Sequence, residues 1–374
     1  MKISEFCLLN GTSLKKNEGK EGYLYLDTAN ITNGVIDSFQ KYGFYEELPS
    51  RARRKVSNNS IVYSTVRPNQ QHFGIITEPP DNLIVSTGFC VIDVDEKIAD
   101  PRYVYYYLSQ SSITKKLHAI AEQATTAYPS IKAKDLGDLE IDLPDLDRQH
   151  EVAQILTSLD KKILLNSAIN DNLYAVLEAV YQEKFTKPKS ESKIGILSDI
   201  CFYANDKIDV SKLDTRSYFS TENMLPEKKG ASNATQLPTV SKVTACSRGD
   251  TLISNIRPYF KKIVYSEIKC GCSNDVLCFS PKSQKYSSYL FSTLFDDAFF
   301  AFMTAGSKGT KMPRGDKVQI MTYPVKLPAD NEVEAFNTVA IPILKQIHSN
   351  NMENRELASL RDSLLKTLFS DATK

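Results

Sequence analysis

Three short stretches of this 374-residue chain concentrate side chains suited to gripping and reading a nucleic acid. Arg51-Ala-Arg53-Arg54-Lys55 runs on to Arg67 with no acidic residue between. Arg257-Pro-Tyr259-Phe-Lys261-Lys262 pairs cations with aromatic rings, and Lys308-Gly-Thr-Lys311-Met-Pro-Arg314 is basic and glycine-containing. Lys and Arg hold phosphates and fix register. Arg, Asn and Gln can make two-point contacts to base edges in the major groove. Arg67, Asn69, Gln70, Gln71 and His72 form such a set directly after a predicted strand, and Arg257 and Tyr259 occupy the parallel place later in the chain. The loop containing Thr125, Thr126 and Tyr128 is uncharged but rich in hydrogen-bonding groups. The competing reading of each residue is a solvated loop charge, and Arg67 and Arg257 could instead hold a strand end.

Catalytic chemistry has no comparable foothold. A nucleotide-type cofactor site would show a glycine-rich turn after a strand, and a motor would show a Walker loop. The 15 glycines are scattered and neither pattern occurs. Glu78-Pro-Pro-Asp81-Asn82 has two prolines but lacks the following aromatic of an amino-methyltransferase motif, and reads as a turn. His72, His118, His150 and His348 show no metal-ligand spacing. Cys270-Gly-Cys272 with Cys278 has no second close pair, as a zinc site would require. The expectation is a non-catalytic chain that binds no metal and no cofactor of its own. The seven cysteines are odd in number and Met1 to Glu5 carry no signal-peptide pattern, so a cytoplasmic protein without disulfides is expected. No apolar run reaches the roughly 18 residues of a membrane span. The net charge of +1 neither favours nor excludes nucleic acid, because a DNA binder needs a local basic surface.

The elements that must position these residues occur twice. Tyr63-Ser-Thr-Val-Arg67-Pro68 resembles Ile253-Ser-Asn-Ile-Arg257-Pro258, 190 positions on. Leu143-Pro144, Asn166, Asn170, Leu173 and Phe185 match Leu327-Pro328, Asn350, Asn354, Leu357 and Phe369 at a constant offset of 184. Two diverged copies of one module are therefore expected. In the first copy, residues 60–66, 73–76 and 89–94 are β-branched and aromatic runs punctuated by turn residues, and are read as strands. Residues 101–121 are read as a helix and 139–143 as a closing strand. The second copy repeats the plan with strands at 251–256, 263–266 and 276–280, a helix at 287–303 and a last strand at 325–327.

Each copy ends in a long helix. After Asp147, a good capping residue, no Gly or Pro occurs until Pro188. Ile155, Leu159, Ile163, Asn166, Ile169, Leu173, Val176 and Val180 recur at spacings of three and four. A helix over 147–184 would be about 57 Å long at about 1.5 Å per residue. Val339, Ile343, Ile347, Asn350, Leu357, Leu360 and Leu364 form the matching stripe, with Pro342 marking a start or a kink. A stripe this narrow needs a cover, and the other copy's helix is the obvious one. Antiparallel pairing would make Asn166 and Asn350 candidates for fixing register; solvated flank positions are the equal alternative.

The resulting fold class is α+β: two globular mixed α/β domains joined by two long antiparallel helices, a pseudo-two-fold internal repeat. The parts are 1–144, 145–187, 188–328 and 329–374. This order resembles the specificity subunit of type I restriction–modification systems, in which each globular part is a target recognition domain. The resemblance rests on Ala124-Thr-Thr-Ala-Tyr128-Pro-Ser-Ile131, the segment to Pro144 and Asp147-Arg-Gln149 in the first copy. In the second it rests on Gly306-Ser-Lys-Gly-Thr310-Lys-Met-Pro313 and Leu327-Pro328, with Val333 where the Gln would stand. It implies double-stranded DNA as ligand, a bipartite asymmetric target, and two methyltransferase subunits carrying S-adenosylmethionine. Two motor–nuclease subunits are an optional addition. Lys161-Lys162 and Glu183-Lys184 are candidate docking positions on the helices. The residues themselves also allow a stand-alone DNA-binding regulator or a coiled-coil protein adaptor.

Overall fold

The computed structural model describes residues 1–16, 22–123, 129–186 and 193–370. The chain divides into two compact units, one made of Met1–Lys161 with Ala358–Lys374 and the other of Lys162–Leu357.

In the first unit an antiparallel sheet runs in the order Cys7–Leu9, Phe89–Val94, Ser60–Ser64, Phe73–Ile76. Its central strand Ser60–Ser64 is buried along its whole length. Val62 packs with Leu26, Val85 and Phe89. Ile61 and Tyr63 pack on the opposite face with Tyr103, Val104 and Leu108. Burial on both faces explains the unbroken Ile-Val-Tyr run. A second sheet orders Gln40–Tyr42, Tyr23–Leu26, Leu83–Ser86 and Ala52–Lys55, with its middle pair parallel. The expected helix over 101–121 is two helices, Pro101–Ser109 and Ser111–Glu122, broken at an extended Gln110. Gln110 Nε2 donates to the Tyr107 carbonyl at 3.2 Å, satisfying one group freed by the break. The expected strand over 139–143 is a single bridge, Lys2 to Glu140, because its partner segment turns into a 3-10 helix at Ile3–Glu5.

The second unit repeats the antiparallel sheet and varies the mixed one, whose parallel pair lies at its edge. The antiparallel one runs Cys201–Tyr203, Val276–Pro281, Thr251–Ser254, Ile263–Tyr265. The other runs Lys207–Asp209, Lys242–Cys246, Cys270–Cys272, Tyr218–Phe219, and again contains one parallel pair. The helix expected over 287–303 is also two, Ser287–Phe295 and Asp297–Ala305. Asp296 ends the first and caps the second, accepting from Ala298 N at 2.8 Å. The closing strand is Pro324–Lys326, paired with Ile194–Ile196.

The long helices are Leu146–Tyr181 and Asp330–Ser370. Asp145, not Asp147, caps the first, accepting from Arg148 N at 2.8 Å. The second starts twelve residues before Pro342, which lies inside it, so Pro342 does not mark its start. The buried face is also shifted from the expected stripe. Val152, Leu156, Asn166, Asn170, Leu177 and Tyr181 are buried, whereas Ile155, Ile169 and Val176 are exposed. Leu164 and Leu165 are exposed as well, so several faces of this helix are apolar and periodicity could not choose among them.

Within each unit the helices run antiparallel. In the first unit, Arg361 Nη1 donates to Asp160 Oδ1 at 2.8 Å. Val152 and Leu156 there share a core with Leu365. In the second unit a polar layer interrupts the seam. Asn166 Nδ2 donates to Asn354 Oδ1 at 3.0 Å and Asn350 Nδ2 to Asn170 Oδ1 at 2.8 Å. These two bonds are equivalent under the repeat, the Asn166–Asn354 pair answering to the Asn350–Asn170 pair when the copies are exchanged. Asn166 and Asn350 are both buried, and a slip of one turn would strand their amides in an apolar seam. Replacing Asn350 by Ala is expected to cost about 1–3 kcal/mol, because Asn170 Oδ1 and Gln346 Nε2 lose their partners. Chemical denaturation measures it; an unchanged midpoint would remove the layer's role.

Candidate nucleic-acid interface

The two arginine–proline segments fold into the same unusual turn. Arg67 takes a left-handed backbone (φ 48°, ψ 67°), Pro68–Gln70 form one 3-10 turn, and Gln71 is left-handed again at φ 56°. Arg257, Pro258–Phe260 and Lys261 repeat it, with φ 50° at both ends. Four non-glycine residues in this region carry strain on the order of 1–3 kcal/mol each. In both units the arginine N–H donates to a proline carbonyl of the neighbouring loop, Arg67 to Pro129 at 2.9 Å and Arg257 to Pro313 at 2.8 Å. Pro129 and Pro313 are thus each held by the repeated turn. Thr125, Thr126 and Tyr128 lie outside the described residues.

In the first unit this turn joins a rim at one end of both sheets. Thr65 N donates to the Gly88 carbonyl and Thr87 N to the Arg51 carbonyl, each at 2.8 Å. Arg51, Arg67, Asn69 and Gln70 are exposed around it. His72 is turned inward: its Nδ1 lies 2.6 Å from the Ile31 carbonyl, which can only accept, so the ring donates there. The Gln71 carbonyl accepts from Asn33 N. Arg53 donates to the Ala52 carbonyl and lies over the Tyr45 ring at 5.2 Å. Arg54 keeps a buried Nε with no hydrogen-bond partner.

In the second unit several cations already face carboxylates. Lys261 Nζ lies 3.0 Å and Lys228 Nζ 2.7 Å from Asp297. The Lys228 and Lys261 ammonium groups hold that carboxyl below the usual range. Lys308 pairs with Asp316 at 2.6 Å, and Arg314 with Asp275 at 3.1 Å. Lys262 donates to the Thr221 carbonyl at 2.6 Å, and burial lowers its pKa. Lys311 and Tyr259 are exposed, and Tyr259 packs against exposed Phe260 at 4.8 Å between ring centres. Arg257 keeps a buried Nε with no partner. Lys308 and Arg314 bond to each other's backbone at 2.9 Å, closing the loop into a narrow turn. Gly315 follows because a Cβ there would lie 2.9 Å from Asn255 Oδ1.

Three residues were missed by sequence reasoning. Gln149, quoted only as part of a motif, is buried at the domain-to-helix junction. Its Oε1 accepts from Asp100 N at 2.9 Å and its Nε2 donates to the Pro144 carbonyl at 2.8 Å. Asn255 and Asp275 flank the Arg257 turn, with Asn255 N donating to the Asp275 carbonyl at 2.8 Å. Only the aligned position of Asn255, two before the arginine, hinted at it. The four cysteines of the second unit's β-region, Cys246, Cys270, Cys272 and Cys278, are buried free thiols in one core. Among the described residues no group of three or more His, Cys, Asp or Glu is placed to hold a metal ion, and no helix is long and apolar enough to cross a membrane.

Known proteins share this organisation. Residues 1–175 match the family model described as type I restriction modification DNA specificity domain. The chain is similar to the type I restriction enzyme HindI specificity subunit of Haemophilus influenzae, 30% identical over 140 residues. That match covers 37% of this chain and 30% of the relative. It is also similar to the putative type I restriction enzyme MjaX specificity subunit of Methanocaldococcus jannaschii, 26% identical over 216 residues, 56% of this chain and 50% of that one. The matches thus span half or less of these relatives' length. The solved type I restriction–modification S subunit of M. genitalium shares the fold at a TM-score of 0.53 and 16% identity, over 99% of this chain and 95% of that one. Residues 1–175 thus match the specificity domain of type I restriction–modification systems, and the whole described chain shares the fold of a solved S subunit.

Proposed function

We propose that the chain is the DNA-reading, non-catalytic subunit of a methyltransferase complex, each unit reading one half of a bipartite, asymmetric double-stranded site. The single observation that carries this is the doubled arginine–proline turn. One strained backbone is kept in both copies, while the exposed side chains on it differ: Asn69 and Gln70 in one, Tyr259 and Phe260 in the other. A constant frame with altered contacts suits two different half-sites. The helices would set the unread spacer. Two methyltransferase subunits docked on them would supply S-adenosylmethionine and the methyl transfer, joined optionally by two motor–nuclease subunits. The exposed Leu165, Ile169 and Val176 offer an apolar stripe for such docking, beside the charged positions Lys161, Lys162, Glu183 and Lys184.

In this reading Arg51, Arg53, Arg54, Lys308, Lys311 and Arg314 serve phosphates. Affinity should then fall linearly in log salt, by a slope of about 0.9 per phosphate contact. Replacing Lys308 and Lys311 together by Ala is expected to lower that slope by about two contacts' worth without changing which sequence is preferred. Fluorescence titration of duplex DNA across a salt series measures it. Salt-independent or absent binding by the assembled complex would favour a protein adaptor instead.

A further inference from the structure

Beside the Arg257 turn lies an open cleft of about 350 Å³, walled by Tyr218 to Asn223 on one side and Ser232 to Pro238 on the other. Eleven of its fourteen lining residues carry a hydroxyl, amide or carboxyl group, and the apolar ones are Ala234, Leu237 and Pro238. Drug-sized ligands want mostly apolar walls; this one offers hydrogen bonds instead. The cleft is tied to the turn at two points. Lys262 Nζ donates to the Thr221 carbonyl, and the Asp275 carbonyl accepts from Asn255 N.

Asp275 is out of place by charge. A carboxylate beside Arg314 and next to the Arg257 turn repels phosphates, so a surface built only for backbone contact would exclude it. Its contacts with Arg314 are 3.2 Å from Nε and 3.1 Å from Nη2, and both fall on Oδ1. The charge is neutralised while Oδ2 keeps its accepting capacity. The corresponding position in the first unit is Gly88, whose carbonyl accepts from Thr65 N as that of Asp275 does from Asn255 N. The backbone frame is the same in both units, but only the second carries a side chain there.

We propose that Asp275 is a specificity-determining residue of the second unit, accepting through Oδ2 a hydrogen bond from the exocyclic amine of a cytosine presented at the mouth of this cleft. Aspartate is an acceptor suited to that amine in the major groove, and Arg314 holds the carboxylate in place. The inference rests on the DNA-reading function and adds the residue and the base chemistry.

The test uses the full chain assembled with its methyltransferase partner. Methylation sequencing compares wild type, Asp275→Asn and Arg314→Ala, and salt-dependent duplex binding is measured for each. Asp275→Asn is expected to lose discrimination on the order of tenfold at one C·G position of one half-site, with the other half unchanged. Arg314→Ala is expected to weaken binding to all sequences and, because the Asp275 carboxylate loses its anchor, to relax the same C·G position. If Asp275→Asn binds DNA and selects the wild-type motif, the inference is overturned and the DNA-reading function stands. If the wild-type complex shows no salt-dependent DNA binding, both fall. A variant complex that does not assemble is replaced by Asp275→Ser, judged by the same two readouts.

Discussion

A chain whose residues 190–328 are exchanged for the same segment of another specificity subunit is expected to direct methylation to a target altered in one half and unaltered in the other. Every strand pairing of the second unit falls between Ile194 and Lys326, so the exchange moves both sheets intact. The Arg257 turn, the 308–314 loop and the polar cleft travel with them. The contacts that must survive are those to the long helices. Leu177, Tyr181, Phe336 and Leu344 share a core with Tyr289, Phe291 and Phe299, and Tyr181 hydrogen-bonds Thr293 at 3.0 Å. A donor segment with aromatic residues at those places should seat on the same helices. The first unit keeps its own Arg67 turn and rim and therefore its own half-site. Methylation sequencing reads both halves at once; change in both would refute independent reading heads.

Removing seven residues from each long helix, at facing positions that spare Asn166, Asn170, Asn350 and Asn354, is expected to shorten the unread spacer by about three base pairs. Seven residues of helix rise about 10 Å, and duplex DNA advances about 3.4 Å per base pair. Seven is the number to remove because two helical turns are close to seven residues, so the buried face is rotated by only about 20°. Removing five residues would instead rotate one end of the buried face by about 140° relative to the other, turning Val152 and Leu156 out of line with Leu177, and is expected to cost assembly. The retained asparagine layer keeps one register available to the shortened pair. An unchanged spacer in a folded, active complex would mean that something other than the helices sets the distance.

The strands over 60–64, 73–76 and 89–94 were legible because they are buried on both faces and so are written as unbroken β-branched and aromatic runs. The helix breaks at Gln110 and Asp296 were not, since neither Gly nor Pro marks them. Asp296 did carry a capping signal, which continuous apolar composition on both sides concealed. The shift of the buried helix face has a similar origin: the first long helix is apolar on more than one side, and only its actual neighbours select the face. The basic clusters were visible as composition, but their partners were not. Asp275, Asp297 and Asp316 lie 39, 36 and 8 residues from the cations they meet.

The sequence by itself determined that the chain is a module written twice, where the strands of the antiparallel sheet and the long helices lie, and where cations gather. Those properties depend on near neighbours and on a periodicity that a single stretch carries within itself. Tertiary structure alone decided that two arginines take left-handed backbones, that each locks a distant proline carbonyl, and that Asp275 meets Arg314 beside a polar cleft. Such contacts join segments tens of residues apart, and their geometry exists only once the packed sheets hold both ends in place.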